Sequence, residues 1–96
     1  MNYHEASFAD NKDLSHFELE IEDERPFIEY SKEGNLVYLN HTEVPEALEG
    51  KGIAGALVEK TFKYLEENNL QVVPLCSYIR VFLKRHPEWK RLVASR

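Results

Sequence analysis

The sequence contains a single cysteine, Cys76, so no disulfide can form within the chain. A chain of 96 residues without a disulfide depends on its hydrophobic core and is expected in a reducing compartment, here the cytoplasm. No apolar run approaches the roughly 20 residues that a membrane-spanning helix needs. The polar N-terminus shows no signal-peptide pattern. We therefore expect a cytoplasmic protein without a membrane partner.

Positive charge is also scarce, because 12 Lys and Arg residues face 17 Asp and Glu residues and the net charge is −5. Nucleic-acid binding requires clustered positive charge, so no nucleic-acid partner is expected. Nine of the 12 basic residues lie after residue 50. This local excess is equally consistent with a small anionic ligand and with solvated helix surfaces.

Alternation of apolar and acidic residues predicts the first strand. Phe17, Leu19 and Ile21 alternate with glutamates, which is typical of a half-buried strand over residues 17–22. Two more strands are predicted over residues 27–32 and 36–44, separated by turns. Links this short require antiparallel pairing, so the three strands form a meander.

Helical spacing of apolar residues begins after Pro45. It predicts a helix over residues 52–68, a short strand over 70–75 and a second helix over 77–86 that ends at Pro87. The second helix is expected to bury Leu75, Ile79, Phe82 and Leu83. Trp89 and Leu92 are expected to cap the core.

The predicted element order is therefore β-β-β-α-β-α. It describes an α+β domain with a mixed, mostly antiparallel sheet, in which the third and fourth strands flank a helix as a βαβ unit. The domain is assigned to residues 16–96. Residues 1–15 lack periodicity and are expected to be a flexible N-terminal arm, with room for a short strand near Tyr3 to Phe8.

Three of the four glycines, Gly50, Gly52 and Gly55, lie where a strand gives way to a helix. Glycines there allow a ligand to approach the backbone, and the first N–H groups of a helix have no intrahelical partner. Such a helix start binds phosphate groups, and Lys51 adds a positive charge.

Several interpretations of this segment compete. The glycines also match the dinucleotide fingerprint G-x-G-x-x-G, but residues 45–48 separate them from the strand, and the next strand carries no acid. A nucleoside-triphosphate loop would need Ser or Thr where Gly52 follows Lys51. The glycines are also compatible with a tight turn that only permits close packing.

The frame Glu49-Gly50-Lys51-Gly52-Ile53-Ala54 fits best the pattern Gln/Arg-x-x-Gly-x-Gly/Ala. It meets that pattern at Gly52 and Ala54 and departs from it at Glu49. Taken with His41-Thr42-Glu43-Val44-Pro45, Pro74-Leu75-Cys76-Ser77-Tyr78 and His86-Pro87, it resembles the small single-domain branch of the Gcn5-related N-acetyltransferases (GNAT), the YjdJ-type family. The resemblance spans residues 17–93.

This resemblance implies a minimal acyl-CoA N-acyltransferase fold that binds acetyl-CoA and transfers acetyl to an amine not identified by the sequence. The pantetheine arm would pair with the third strand. The pyrophosphate would meet backbone N–H groups of residues 50–54, within the glycine segment, residues 50–55. The cofactor-binding residues implied are Thr42, Glu43, Val44, Glu49, Gly50, Lys51, Gly52, Ile53 and Ala54.

Three side chains are candidates for catalysis. Cys76 precedes a helix, where a thiolate is favoured, and could protonate the leaving CoA thiolate, carry the acetyl group or simply be buried. Tyr78 could be the general acid, as the resemblance implies, or a core residue. His41 could remove a proton from the amine, because imidazole titrates near neutral pH, or face the sheet interior. Glu43 could instead hold the amine.

No metal site is expected, because the four histidines lack metal-ligand spacing. A CoA-binding or protein-interaction module with little turnover remains an alternative, since a minimal domain has few groups to position an acceptor. A purely structural adaptor is a third. The sequence does not indicate the oligomeric state.

Overall fold

A computed structural model describes residues 5–94 and contains five strands and two α-helices. The elements are β1 Ser7–Asn11, β2 His16–Glu20, β3 Phe27–Glu33, β4 Leu36–Glu43, α1 Ile53–Glu67, β5 Gln71–Pro74 and α2 Ser77–Arg85. Short 3₁₀ turns, Glu46–Leu48 and Pro87–Leu92, precede α1 and follow α2.

The five strands form one sheet in the order β1-β2-β3-β4-β5. The first four strands pair antiparallel with their neighbours, and β5 runs parallel to β4, which is joined to it through α1. The predicted meander, βαβ unit and α+β class are therefore confirmed. The longest helix in residues 5–94 has 15 residues, and neither α-helix has an apolar stretch that could span a bilayer.

The structure has one strand more than the sequence predicted. Ser7–Asn11 forms the edge strand β1, paired with β2, where we expected a flexible arm. The short strand expected near Tyr3 to Phe8 is observed further along the chain, over Ser7–Asn11. Tyr3, where the expected strand begins, lies outside the described residues. The predicted domain boundary at residue 16 stays a prediction.

Both helices share one hydrophobic core with alternate residues of the strands. The ring of Phe62 in α1 meets the ring of Phe82 in α2 edge-on at 5.7 Å and lies 5.6 Å from Trp89. The helices therefore cover the same face of the sheet. The opposite side, here called the open face, carries the exposed side chains of Glu29, His41 and Glu43.

The predicted buried face of α2 needs one correction. Ile79, Phe82 and Leu83 are buried as expected, but Leu75 is 52% exposed. Leu75 lies before the first residue of α2, so it does not follow the helical periodicity that buries the other three.

A β-bulge in β4 determines the geometry of the site. Tyr30 pairs with Leu39, and Glu29 pairs with His41, so Asn40 is left out of the register with β3. The extra residue shifts the alternation of side chains along the strand. As a result Leu39 and Thr42, three residues apart, both lie on the helix side of the sheet.

Candidate functional site

The strands β4 and β5 separate halfway along β4. β5 pairs with β4 only over residues 36–39. The backbone N–H groups of Leu75 and Cys76 then both donate to the Leu39 carbonyl, at 3.1 and 2.9 Å, and the chain turns into α2. Beyond Leu39, no other strand of residues 5–94 lies on that side of β4. A gap therefore opens along residues 40–43, and backbone groups of β4 face it.

The glycine segment forms the uncapped start of α1. Gly50 and Gly52 have φ angles of 78° and 76°, a left-handed conformation that favours glycine. Gly52 is the N-cap, and no side chain caps the helix. The N–H of Ala56 bonds to the Gly52 carbonyl at 3.3 Å, which leaves the three preceding helical N–H groups without an intrahelical acceptor. These groups form the positive end of the helix dipole.

A pocket of about 220 Å³ lies beside this helix start. It is lined by Val44, Leu48, Glu49, Gly50, Gly52, Ile53, Ala54, Gly55 and Tyr78. Six of the nine predicted cofactor-binding residues are thus brought together with Tyr78. Thr42, Glu43 and the exposed Lys51 do not line it.

Two lining residues, Leu48 and Gly55, were absent from all the predicted site residues. Leu48 is buried and belongs to the 3₁₀ turn before the glycines, where an apolar residue in a polar loop was the available signal. Gly55 was part of the glycine pattern but outside the matched frame. A Cβ atom at Gly55 would lie 3.9 Å from the Tyr78 hydroxyl.

Cys76 lies across the gap from Thr42. The Thr42 hydroxyl oxygen is 3.4 Å from the Cys76 sulfur, and the thiol is half-buried. Burial raises the pKa of the thiol, but the Thr42 hydroxyl and the backbone N–H groups of Ile79, Tyr78 and Thr42 favour the thiolate and lower the pKa overall. The prediction that Cys76 directly precedes a helix is confirmed.

Tyr78 points toward the glycine segment. Its ring contributes to the pocket at the start of α1, and its hydroxyl lies near Gly55. Burial raises the pKa of this hydroxyl, and the positive charge of Arg85 opposes that effect. The role of Tyr78 as a general acid stays a prediction.

His41 does not lie on the same face of the sheet as Thr42, which contacts Cys76. It lies on the open face, because it pairs with Glu29 while Thr42 pairs with the buried Ile28. Its Nε2 atom is 2.9 Å from Oε1 of Glu43, and both side chains are more than half exposed. The interpretation of His41 as an interior structural residue is therefore wrong.

Within residues 5–94, no group of three or more His, Cys, Asp or Glu side chains is arranged to hold a metal ion. The site offers several donors and acceptors. These are an open helix terminus, backbone groups of β4 that face the gap, a thiol beside a hydroxyl, and a histidine beside a carboxylate.

Comparison with known proteins supports the same family. The family model described as GCN5-related N-acetyl-transferase matches residues 16–92. Protein NATD1 from Bos taurus is 40% identical over 52 residues, and its Homo sapiens counterpart is 38% identical over 52 residues. Each match covers 54% of this chain and 46% of the relative, so the match spans about half the length of these relatives.

A solved structure shows the same fold. The NMR structure of a GCN5-like protein from Staphylococcus aureus superimposes with a TM-score of 0.69 at 21% sequence identity. The alignment covers 100% of this chain and 93% of that chain. Because the family model covers most of the sequence, this chain belongs to the GCN5-related N-acetyltransferase family.

Proposed function

We propose that the protein binds acetyl-CoA in the gap between β4 and β5 and transfers its acetyl group to an amine. The uncapped, glycine-formed start of α1, which opens into a pocket, carries this proposal. Free N–H groups at a helix start favour an anion, and the family generally uses a cosubstrate with a pyrophosphate. The gap along β4 lies next to it through Val44, which follows β4 and lines the pocket.

The pyrophosphate is assigned to the N–H groups of Ile53, Ala54 and Gly55. Charge-assisted hydrogen bonds from backbone N–H groups to an anion are stronger than bonds between neutral groups. Glu49 supplies no positive charge, so the backbone carries this contact. Lys51 is exposed and adds only a screened attraction.

The pantetheine arm is assigned to the backbone of β4 beside the gap. An extended ligand can pair with an exposed strand edge as an added strand. Such pairing along Thr42, Glu43 and Val44 directs the thioester toward Thr42 and Cys76. A backbone N–H near Thr42 to Val44 then polarises the thioester carbonyl and stabilises the developing oxyanion.

The two proton transfers are assigned to two residues, His41 and Cys76, on opposite sides of β4. His41, oriented by Glu43, takes a proton from the acceptor ammonium on the open face. The free amine attacks the acetyl carbonyl, the attacking nitrogen loses its second proton to solvent, and the carbon–sulfur bond breaks. Cys76 gives its proton to the departing CoA thiolate and is reprotonated from solvent.

Direct attack by the amine is favoured over an acetyl group carried on Cys76. A covalent cysteine normally has an adjacent base, and His41 lies on the other face of the sheet from Thr42 and Cys76. The lowered pKa of Cys76 makes its thiol a stronger acid toward the departing thiolate.

A CoA-binding or interaction module with little turnover is the second candidate. No helix among residues 5–94 covers the open face, so few groups hold an acceptor near His41. Positioning supplies much of the rate enhancement in such reactions.

The two candidates are separated by measuring transfer and binding together. Thiol release from acetyl-CoA is followed with spermidine and with a lysine-containing peptide, and intact-protein mass spectrometry reports any acetyl adduct. Transfer that saturates with amine supports the enzyme. Calorimetric binding of acetyl-CoA without transfer supports the module, and absence of binding contradicts both.

A further inference from the structure

A second cavity, of about 350 Å³, lies at the other end of α1 from the glycine segment. Tyr64, near the C-terminus of α1, lines it, whereas Gly52 caps the N-terminus. The rise of 1.5 Å per helical residue separates these two positions by about 18 Å along the helix axis. The cavity is larger than the pocket assigned to acetyl-CoA and is independent of that assignment.

The walls of this cavity are fixed by Asp10. One carboxylate oxygen accepts a hydrogen bond from the Tyr30 hydroxyl at 2.6 Å, and the other accepts one from the Tyr64 hydroxyl at 2.8 Å. These three residues lie on β1, β3 and α1. The Phe17 ring stacks on the Tyr30 ring at 4.1 Å and forms part of the apolar lining. The cavity is therefore preformed, as ligand sites usually are.

The cationic groups of the lining are Lys12 and Lys32. Both are exposed, and neither forms a salt bridge with another described residue. Both oxygens of Asp10 already accept hydrogen bonds from phenols, which commits this carboxylate to the structure. The groups left for a ligand are thus two ammonium groups beside an aromatic wall.

We propose that this cavity binds a small organic anion with an apolar body. The anionic head lies between Lys12 and Lys32, and the apolar body lies against the half-buried side chains of Tyr30 and Leu70. The head stays away from Asp10, because two carboxylates close together repel each other.

The probe is hexanoate, titrated into ¹⁵N-labelled full-length protein and followed by NMR. Saturable shifts are expected for the backbone amides of Lys32, Asn68 and Leu70. Neutral hexanamide should bind about tenfold more weakly or worse, because it loses a hydrogen bond between two charged groups. Replacing both lysines (Lys12→Gln with Lys32→Gln) should weaken hexanoate binding by about the same factor, and Lys51→Gln should leave it unchanged.

Several results would overturn the proposal. Hexanamide binding as tightly as hexanoate would show that the lysines contribute nothing. Tighter binding of hexylammonium would show that Asp10 dominates the cavity. Absence of saturable shifts, or shifts confined to residues 50–55, would show that this cavity is not the binding site for the anion.

Discussion

The hydroxyl oxygen of Thr42 lies 3.4 Å from the sulfur of Cys76, on the helix side of the sheet where β4 and β5 separate. The bulge at Asn40 makes this contact possible, because it places Thr42 on the same face as the buried Leu39. The contact therefore connects β4, the strand assigned to the pantetheine arm, to Cys76, the residue directly before α2.

The first prediction concerns the acidity of this thiol. Thr42→Val removes a hydroxyl that favours the thiolate, so the pKa of Cys76 should rise. The rate of iodoacetamide alkylation measured against pH reports that pKa, and its midpoint should move upward. Ser77→Ala is the control, since Ser77 is exposed and its side chain is not among the groups that shift the thiol. An unchanged midpoint in Thr42→Val would contradict this explanation of the lowered pKa.

Alkylation also tests whether Cys76 belongs to the site. If acetyl-CoA lies along β4, bound CoA should protect Cys76 from iodoacetamide. Slow alkylation of the free protein, unaffected by CoA, would place Cys76 in the core and outside the site.

The second prediction concerns the glycine segment. Gly52→Asn adds a side chain at the helix start while keeping a residue type that tolerates positive φ. It should weaken acetyl-CoA binding about tenfold or more, since losing one hydrogen bond to a charged group costs about 1.5–3 kcal/mol. Isothermal titration calorimetry measures the change.

Gly34→Asn is the matched control for strain. Gly34 has a φ angle of 60°, and a Cβ atom there, as at Gly52, would meet no atom within 4 Å, but Gly34 lies in the β3–β4 turn. Equal loss of affinity in both folded variants would assign the effect to general destabilisation.

The third prediction concerns His41 as the base. His41→Gln should lower kcat about 100-fold or more near neutral pH and leave KM for acetyl-CoA nearly unchanged, because the side chain acts on the acceptor proton. Glu43→Gln should lower kcat less. His86→Gln is the control, because His86 is also exposed and also lies near a glutamate two residues on, Glu88, at 3.8 Å. Equal losses for His41→Gln and His86→Gln would contradict the assignment.

The fourth prediction concerns stability at alkaline pH. Burial and the hydrogen bond to Asp10 raise the pKa of Tyr30, and the hydrogen bond to Asp10 raises that of Tyr64. A raised pKa in the folded state contributes stability that is complete below the unfolded value near 10 and is lost as pH rises above it. The free energy of unfolding should therefore fall above about pH 10.

Denaturant unfolding of Tyr30→Phe with Tyr64→Phe checks this prediction. The double variant should be less stable at pH 7 and should lose less stability than the parent between pH 9 and about 11. Tyr38→Phe, on the open face, is the control. A parallel pH dependence in parent and double variant would show that the Asp10 contacts do not couple folding to these protons.

The sequence predicted the elements whose inner faces are continuously apolar. The apolar alternation of Phe17 and Leu19 predicted β2, and the helical spacing of Ile79 and Phe82 predicted the buried face of α2. β1 was missed because Asp10 occupies an inner position, paired with the buried Phe17, where an apolar residue would have shown the alternation. Two tyrosines that are distant in sequence satisfy that carboxylate, so no local pattern could reveal it.

Only part of the candidate site was predictable, because the rest depends on contacts between residues distant in sequence. The glycine segment is local in sequence, and the structure brings most of it to one pocket. The orientation of His41 depended on the bulge at Asn40, which arises from pairing with β3 and has no signature in period-two alternation. The contact of Thr42 with Cys76, 34 residues apart, likewise exists only once β4 and β5 have paired.

The most direct test of the account is an NMR titration of the ¹⁵N-labelled protein with acetyl-CoA. We predict saturable shifts of the backbone amides of Ile53, Ala54 and Gly55 at the start of α1 and of Thr42 beside the gap. Backbone amides of residues that line the second cavity, such as Asn68, should not shift. No saturable shift at millimolar acetyl-CoA, or saturable shifts that leave residues 53–55 unchanged, would contradict the assignment of acetyl-CoA to the glycine segment.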